Sequence, residues 1–197
     1  GRSIQEAIAL AQEMFRDINF KARGSNIAIK LDMNKAYDRV EWSFINMVLA
    51  GMGFSHGNID IFFRCFSSSW LSVPFMGKAY GFFKAACGLR QGDPLSLSLF
   101  ILVQDVLSRL IHRSINNGAI LSYRRKWSLP VVSHLMFADD TIIFTNASSR
   151  SLCGLGKVLE EYSHWSGQVI NNNKSNFYIS NSCSSMRVSS VSRKLDM

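Results

Sequence analysis

The chain has 197 residues, 47% hydrophobic and 12% aromatic, enough for one domain with a packed core, so disorder is not its default. Its formal net charge of +8 suits a polyanionic partner without identifying one, because net charge governs solubility and nonspecific attraction rather than fold. Four scattered cysteines, Cys65, Cys87, Cys153 and Cys183, form no C-x-x-C pair and have no histidine at finger spacing, which argues for free thiols in a reducing compartment and against a zinc finger.

The chain opens on "GRSIQEAIALAQEMFRD", where Ile4, Ile8, Ala11, Met14 and Phe15 recur at helical spacing, so residues 3 to 19 are predicted as an amphipathic helix ended by "KARGSN". That opening lacks the layout of a secretory signal and starts inside a helix pattern, as a fragment would. "IAIKLDM" alternates as a strand does and places Asp32 at its end. A helix is expected over "VEWSFINMVLAGMG", with Asp38 as its N-cap candidate, and another from Asn58 to Ser67. "LSVPFMGKAYGFFKAACG" is predicted as a hairpin turning in Gly77 to Gly81, with Pro74 on an edge strand.

From Asp93 or Pro94 to about His112 the pattern is apolar nearly all round, so a buried helix is expected. Its apolar run from Leu95 to Val106 carries Ser96, Ser98, Gln104 and Asp105 and is shorter than the roughly 20 residues that cross a bilayer; no membrane span is expected. The tight basic cluster Tyr123-Arg124-Arg125-Lys126-Trp127 follows. "VVSHLMFADDTIIFT" then gives two strand halves around a turn, "SLCGLGKVLEEYSHWSG" a helix weakened by Gly154 and Gly156, and "NFYIS" a last strand. Residues 181 to 197 form a Ser-rich tail of little periodicity, expected to be disordered or truncated. The element order points to an α+β, split βαβ (ferredoxin-like) arrangement, with helices behind a small antiparallel sheet.

Asp139 and Asp140 interrupt an apolar pattern. Aspartates are common in turns for local hydrogen-bonding reasons, and on these two residues alone that explanation stands first. Two adjacent carboxylates nevertheless repel unless a cation or a proton neutralises one, and a hard cation such as Mg²⁺ favours oxygen ligands. If the strand ending at Asp32 neighbours theirs, Asp32 and Asp139 meet across the sheet edge, and three carboxylates suit the two-ion chemistry of phosphoryl displacement. A helix N-cap is the alternative role for Asp32.

Three stretches in order, "KLDMNKAYDRVEW" (30–42), "GLRQGDPLSLSLF" (88–100) and "FADD" (137–140), resemble the core palm motifs of reverse transcriptases, most closely those of plant non-LTR, LINE-type retrotransposons. "SGQVINNNKS" (166–175) is similar to the motif that follows in that family, and the opening segment to the helix before the first motif, so the likeness covers residues 1 to about 180. Leu97 stands where relatives usually have Pro, and "GQVIN" differs slightly from the common form.

The resemblance implies a polymerase palm over residues 1–180, with fingers and thumb outside the chain, and RNA-directed DNA synthesis from a dNTP, a DNA primer and an RNA template. It assigns Asp32, Asp139 and Asp140 to two Mg²⁺ ions, or Mn²⁺ in their place. Tyr37 matches the aromatic that packs under the incoming sugar and disfavours a 2′-hydroxyl; simple core packing is its other reading. Gln91 and Gly92 match the nucleotide and template pocket, where an amide can hydrogen-bond and glycine admits close approach. Arg90 either touches phosphate or is solvated, and Asp93 and Pro94 cap and start the helix. Lys174 matches a lysine proposed to protonate leaving pyrophosphate, against a plain surface lysine. The rival expectations are a non-catalytic relic of the same palm with weak nucleic-acid binding, and a maturase-like relative from group II introns, from which "LDMNKAYDRVEW" leans away. The lifestyle of such elements implies an intracellular, nuclear site; protein partners are left open.

Overall fold

The computed structural model describes residues 4–125 and 132–197. In chain order the elements are α1 (Ile4–Arg16), β1 (Asn26–Leu31), β2 (Met33–Asn34), α2 (Trp42–Gly51), α3 (His56–Ser67), β3 (Trp70–Phe75), β4 (Lys78–Lys84), α4 (Pro94–Asn116), β5 (His134–Phe137), β6 (Asp140–Asn146), α5 (Ser149–Ser166), β7 (Val169–Ile170), β8 (Asn176–Ile179) and α6 (Ser185–Leu195). The α+β class and the small antiparallel sheet are as expected. Two compact units divide the chain. One takes the residues up to Asn34, Leu107–Tyr162 and Ile170–Met197, and the other Lys35–Val106 and Ser163–Val169.

The first unit is built on a four-stranded sheet ordered β5-β6-β1-β8. Strand β1 is the centre: it pairs antiparallel with β6 from Asn26↔Asn146 to Leu31↔Thr141 and with β8 from Ile27↔Ile179 to Lys30↔Asn176. Having neighbours on both edges and cover on both faces, its apolar residues Ile27, Ala28, Ile29 and Leu31 are all 0% exposed, and only Lys30 breaks the burial. Met14 of α1, Ala28, Tyr123 and Phe144 form a buried cluster, with Phe15, Ile18, Leu135 and Ile142 packed around it. The rings of Phe15 and Tyr123 meet Phe144 edge-on at 5.8 and 5.7 Å. The Tyr123 hydroxyl donates to the Met14 carbonyl at 2.7 Å, which satisfies the one polar atom on that buried ring, and burial pushes its pKa up.

The basic cluster at 123–127 thus has a structural use. Arg125, with a side chain only 7% exposed, bonds Asp17 through Nε at 2.9 Å and reaches Glu13 at 3.4 Å, and Asp17 chiefly raises its pKa. Lys126 and Trp127 lie outside the described residues.

In the second unit the Trp42 ring lies 5.9 Å from Phe63 and 5.7 Å from Phe66, and its indole N–H donates to the Gly88 carbonyl at 2.7 Å. Ser55 caps α3 by accepting from the Asn58 N–H, which starts that helix at His56, earlier than periodicity implied. Asp38 does not cap α2; Glu41 holds that position, without a side-chain bond. The reason is that residues 35–39 form a turn, and the chain there is bound to the "CGL" segment, where Gly88 N–H donates to Val40 and Leu89 N–H to Tyr37, both at 2.8 Å. Gly88 is required there: its φ is +89°, and a Cβ would lie 2.6 Å from the Asp38 carbonyl oxygen.

Three further expectations change. Helix α4 runs 23 residues, long and apolar enough by length and composition to cross a membrane, and it is not wholly buried: Leu97 and Ile101 are 50% and 59% exposed. It is apolar nearly all round, so the sequence alone did not mark Leu97 and Ile101 as its open side. The β3–β4 hairpin turns at Met76–Gly77, both at positive φ (48° and 75°), ahead of most of the expected turn cluster. The Ser-rich tail is ordered, because Val188, Val191 and Leu195 fall three and four apart and give α6 an apolar stripe, with Val191 2% exposed. All four cysteines are free.

Candidate active site

The carboxylates gather at one end of the β1–β6 ladder. Its last paired residues are Leu31 and Thr141, so the next residue on one strand is Asp32 and on the other Asp140. Strand alternation then puts Asp32, Lys30 and Asp140 on one face, opposite to buried Leu31 and Thr141. The expected neighbour of Asp32 across the sheet was Asp139; the register gives Asp140 that place and puts Asp139 in the turn. Phe137 and Asp140 pair around a two-residue connection, Ala138–Asp139, with Ala138 at φ 50°. Positive φ at the first central residue alone is the pattern of a II′ hairpin turn, which matches strand twist and carries Asp139 beyond the sheet.

Asp32 is fixed by the segment after α5. Its backbone N–H donates to Ser175 Oγ at 3.0 Å and its carbonyl accepts from the Asn171 N–H at 2.8 Å. The "INNNKS" stretch therefore clamps the end of β1, a task its sequence did not disclose. Lys174 within it is exposed, and its carbonyl accepts from the Asn176 amide at 3.2 Å.

Asp140 is held by a residue that motif reading passed over. Lys30 Nζ lies 3.0 Å from its Oδ1, with the side chains 43% and 57% exposed. The hydrogen bond and the charge of Asp140 raise the Lys30 pKa, with a smaller contribution from Asp32, so one ammonium feels both carboxylates. The signal was present: Lys30 stands two residues before Asp32, on the same face of a strand. The donor set suits a hard cation, since all three aspartates offer oxygen and sit at adjoining backbone positions. Among the described residues, however, no three Asp, Glu, His or Cys side chains stand close enough to share an ion. Lys30 supplies the neutralising charge at Asp140 instead.

The remaining candidates belong to the other unit. Tyr37 stacks on Phe100 with ring centroids 4.3 Å apart and planes 17° from parallel, which fixes the ring. Arg90 donates to Ser69 Oγ at 2.9 Å, and Gln91 and Gly92 are exposed, Gly92 at φ +87° with open space around it. A groove of about 340 Å³ includes Asp38, Cys87, Gly88, Arg90 and Gln91 in its lining. Asp93 Oδ1 accepts from the Leu95 N–H at 2.9 Å and Pro94 opens α4, as their residue types foretold.

A central antiparallel strand ending in aspartate, beside a hairpin whose tip carries two more, is the layout of a nucleotidyl-transferring palm. The family model "Reverse transcriptase (RNA-dependent DNA polymerase)" matches residues 1–192, and the chain belongs to that family. The retrotransposon resemblance also holds. The Pol polyproteins of R2 retrotransposable elements from Drosophila melanogaster and Nasonia vitripennis are 31% identical over 130 residues and 26% identical over 155. These alignments cover 66% and 79% of this chain, but 12% and 14% of the polyproteins. An uncharacterized mitochondrial protein of Arabidopsis thaliana is 46% identical over 65 residues, 33% of this chain and 53% of that protein. Among solved structures, telomerase from Candida tropicalis in complex with a fragment of telomeric RNA shares the fold at a TM-score of 0.66 and 16% identity, over 94% of this chain and 31% of that one. The chain thus spans about half of one relative and about an eighth of the polyproteins.

Proposed function

We propose that the chain performs RNA-directed DNA synthesis: a primer 3′-hydroxyl attacks the α-phosphorus of a dNTP on an RNA template. A P–O bond forms to the primer, the α–β bridge breaks, pyrophosphate leaves and the hydroxyl proton passes to solvent. The observation that carries this is the placement of Asp32 and Asp140 one residue beyond the Leu31↔Thr141 pair, with Asp139 in the adjoining turn. Two Mg²⁺ ions, or Mn²⁺, would supply charge neutralisation at the attacking and leaving oxygens. The chain's own part is to hold those ions through Asp32, Asp139 and Asp140. The backbone bonds of Asp32 to Asn171 and Ser175, which hold the end of β1, support that reading. Asp140 must first leave Lys30, which as a raised-pKa ammonium then remains to face anionic substrate.

In this proposal Tyr37, braced on Phe100, packs under the deoxyribose, while Arg90, Gln91 and Gly92 contact nucleotide and template. Lys174, exposed, protonates the leaving pyrophosphate. The test is primer extension on an RNA template with Mg²⁺ present. The native chain is expected to incorporate dNTPs, and Asp139→Asn to lose incorporation by at least about a thousandfold while keeping its melting temperature. Undiminished incorporation by Asp139→Asn would sink the assignment. Tyr37→Ala should raise ribonucleotide use relative to deoxyribonucleotide use about tenfold or more, the discrimination that one removed steric wall allows.

A further inference from the structure

The β3–β4 hairpin pairs with no other described strand. It forms its own two-stranded sheet, and every residue of both strands is exposed. Two-stranded hairpins are marginally stable in water, so one this apolar needs a surface to cover it. Within residues 70–84 lie five aromatics, Trp70, Phe75, Tyr80, Phe82 and Phe83. Across the pairs Leu71↔Phe83, Val73↔Tyr80 and Phe75↔Lys78 the register shifts by one residue between the first two, and that bulge brings Phe83 onto the face of Tyr80, Phe75 and Lys78. Those rings are open: Phe75 is 63% exposed, Tyr80 52% and Phe83 49%. At either end of the ladder a ring pairs directly with a cation, Trp70 with Lys84 and Phe75 with Lys78, and Lys84 Nζ lies 5.2 Å from the Trp70 ring centroid.

Charge selects the occupant. From Ile61 to Gly92 there is no carboxylate, while Lys78, Lys84 and Arg90 all fall in that stretch. A purely apolar protein surface would leave those cations unanswered. Unpaired RNA answers both features, because its bases expose faces that stack on aromatic rings and its phosphates meet the lysines. A duplex hides its base faces within its own stack.

We infer that the face of Phe75, Tyr80 and Phe83, with Lys78 beside them, is a stacking platform for single-stranded RNA. The inference rests on the proposed use of an RNA template and adds a surface to it. The test is fluorescence anisotropy of the 197-residue chain with a single-stranded RNA of about 12 nucleotides, a length within the span one such module covers, and with the same sequence as a duplex, at one salt concentration. The variant Phe75→Leu/Tyr80→Leu/Phe83→Leu keeps apolar area and removes the planar rings. It is expected to bind single-stranded RNA at least about tenfold more weakly, with duplex binding unchanged. The single variants Phe75→Leu and Tyr80→Leu, each expected to weaken single-strand binding about threefold or more, decide the matter if circular dichroism shows the triple variant unfolded.

Unchanged single-strand affinity overturns the inference, as does an equal loss for duplex. So does a concentration-dependent dimer that the leucine variant abolishes while RNA affinity stays the same, since a second copy would then be the cover. Primer extension on the same preparation separates the two proposals. Ring-dependent RNA binding without extension defeats the polymerase proposal alone, and extension with ring-independent binding defeats the platform alone.

Discussion

Lys30 holds Asp140 at the edge of the sheet. The Lys30–Asp140 contact at 3.0 Å joins two half-exposed groups, so it is worth at most about 1 kcal/mol after solvent screening. A divalent ion that draws Asp140 away must overcome that. Lys30→Met is therefore expected to tighten Mn²⁺ binding up to about fivefold in a calorimetric titration, and weaker binding would show that Lys30 helps the site rather than competes for it. His134 carries the clearest pH dependence. Its Nε2 lies 2.8 Å from Ser108 Oγ, its Nδ1 2.9 Å from Ser133 Oγ, and the His112 ring is 5.0 Å away. Burial first, and His112 second, push its pKa down to about 4. Unfolded, the same imidazole takes its proton near 6.5, so between the two values the unfolded state binds more protons. Stability is full above about pH 6.5 and falls toward pH 4, by at most about 3 kcal/mol from this group. Melting temperatures across that window should drop for the native chain and drop less for His134→Phe. Asp139 and Asp140 stood out in the sequence as adjacent carboxylates in an apolar strand pattern, which an ordinary turn accounts for first, and the resemblance to reverse transcriptase motifs joined Asp32 to them. His134 did not stand out, because its role depends on Ser108 and His112 facing it from α4, and for Lys30 the sequence showed its place two residues before Asp32 but not its partner Asp140, which the register fixes.

At the scale of elements, α5 shows how one helix holds two different glycines. The sequence marks Gly154 and Gly156 alike as weak points. In the structure a Cβ on Gly154 would lie 2.6 Å from the Ala119 carbonyl oxygen and 3.3 Å from Ile120, while nothing lies within 4 Å of the place a Cβ on Gly156 would take. Gly156→Ala should stabilise by up to about 1 kcal/mol through helix propensity. Gly154→Ala gains the same propensity yet meets backbone that cannot rotate away, so it is expected to lower the melting temperature. A rise for both would mean that the Ala119 turn yields. Helix periodicity was readable over nearly every helical element because an apolar stripe is a local property. At the open side of α4 the missing information was the neighbour, whereas in the tail the short stripe of Val188, Val191 and Leu195 was present in the sequence among serines that obscured it. Leu97 and Ile101 look no different in sequence from buried Leu99 and Val103.

Over the whole molecule, the net charge of +8 makes a prediction independent of any one site. Single-stranded RNA affinity should fall linearly on a log–log plot against salt, with a slope of about −0.7 per phosphate contacted. A flat plot would show that the basic surface takes no part. The sequence by itself determined the residue chemistry of this protein: three aspartates in two motifs, a glycine-rich helix entry between them, an α+β order of elements and a basic, aromatic-rich composition. The composition and the order of elements are local signals, written in spacing and residue type, while the grouping of the three aspartates into motifs is what the resemblance to reverse transcriptases implies. Only the tertiary structure decided that β1 lies between β6 and β8, strands far from it in the chain, and thereby that Asp32 faces Asp140 rather than Asp139. Register is the physical reason, since one residue of slip in a strand exchanges every face, and only the packed sheet fixes it.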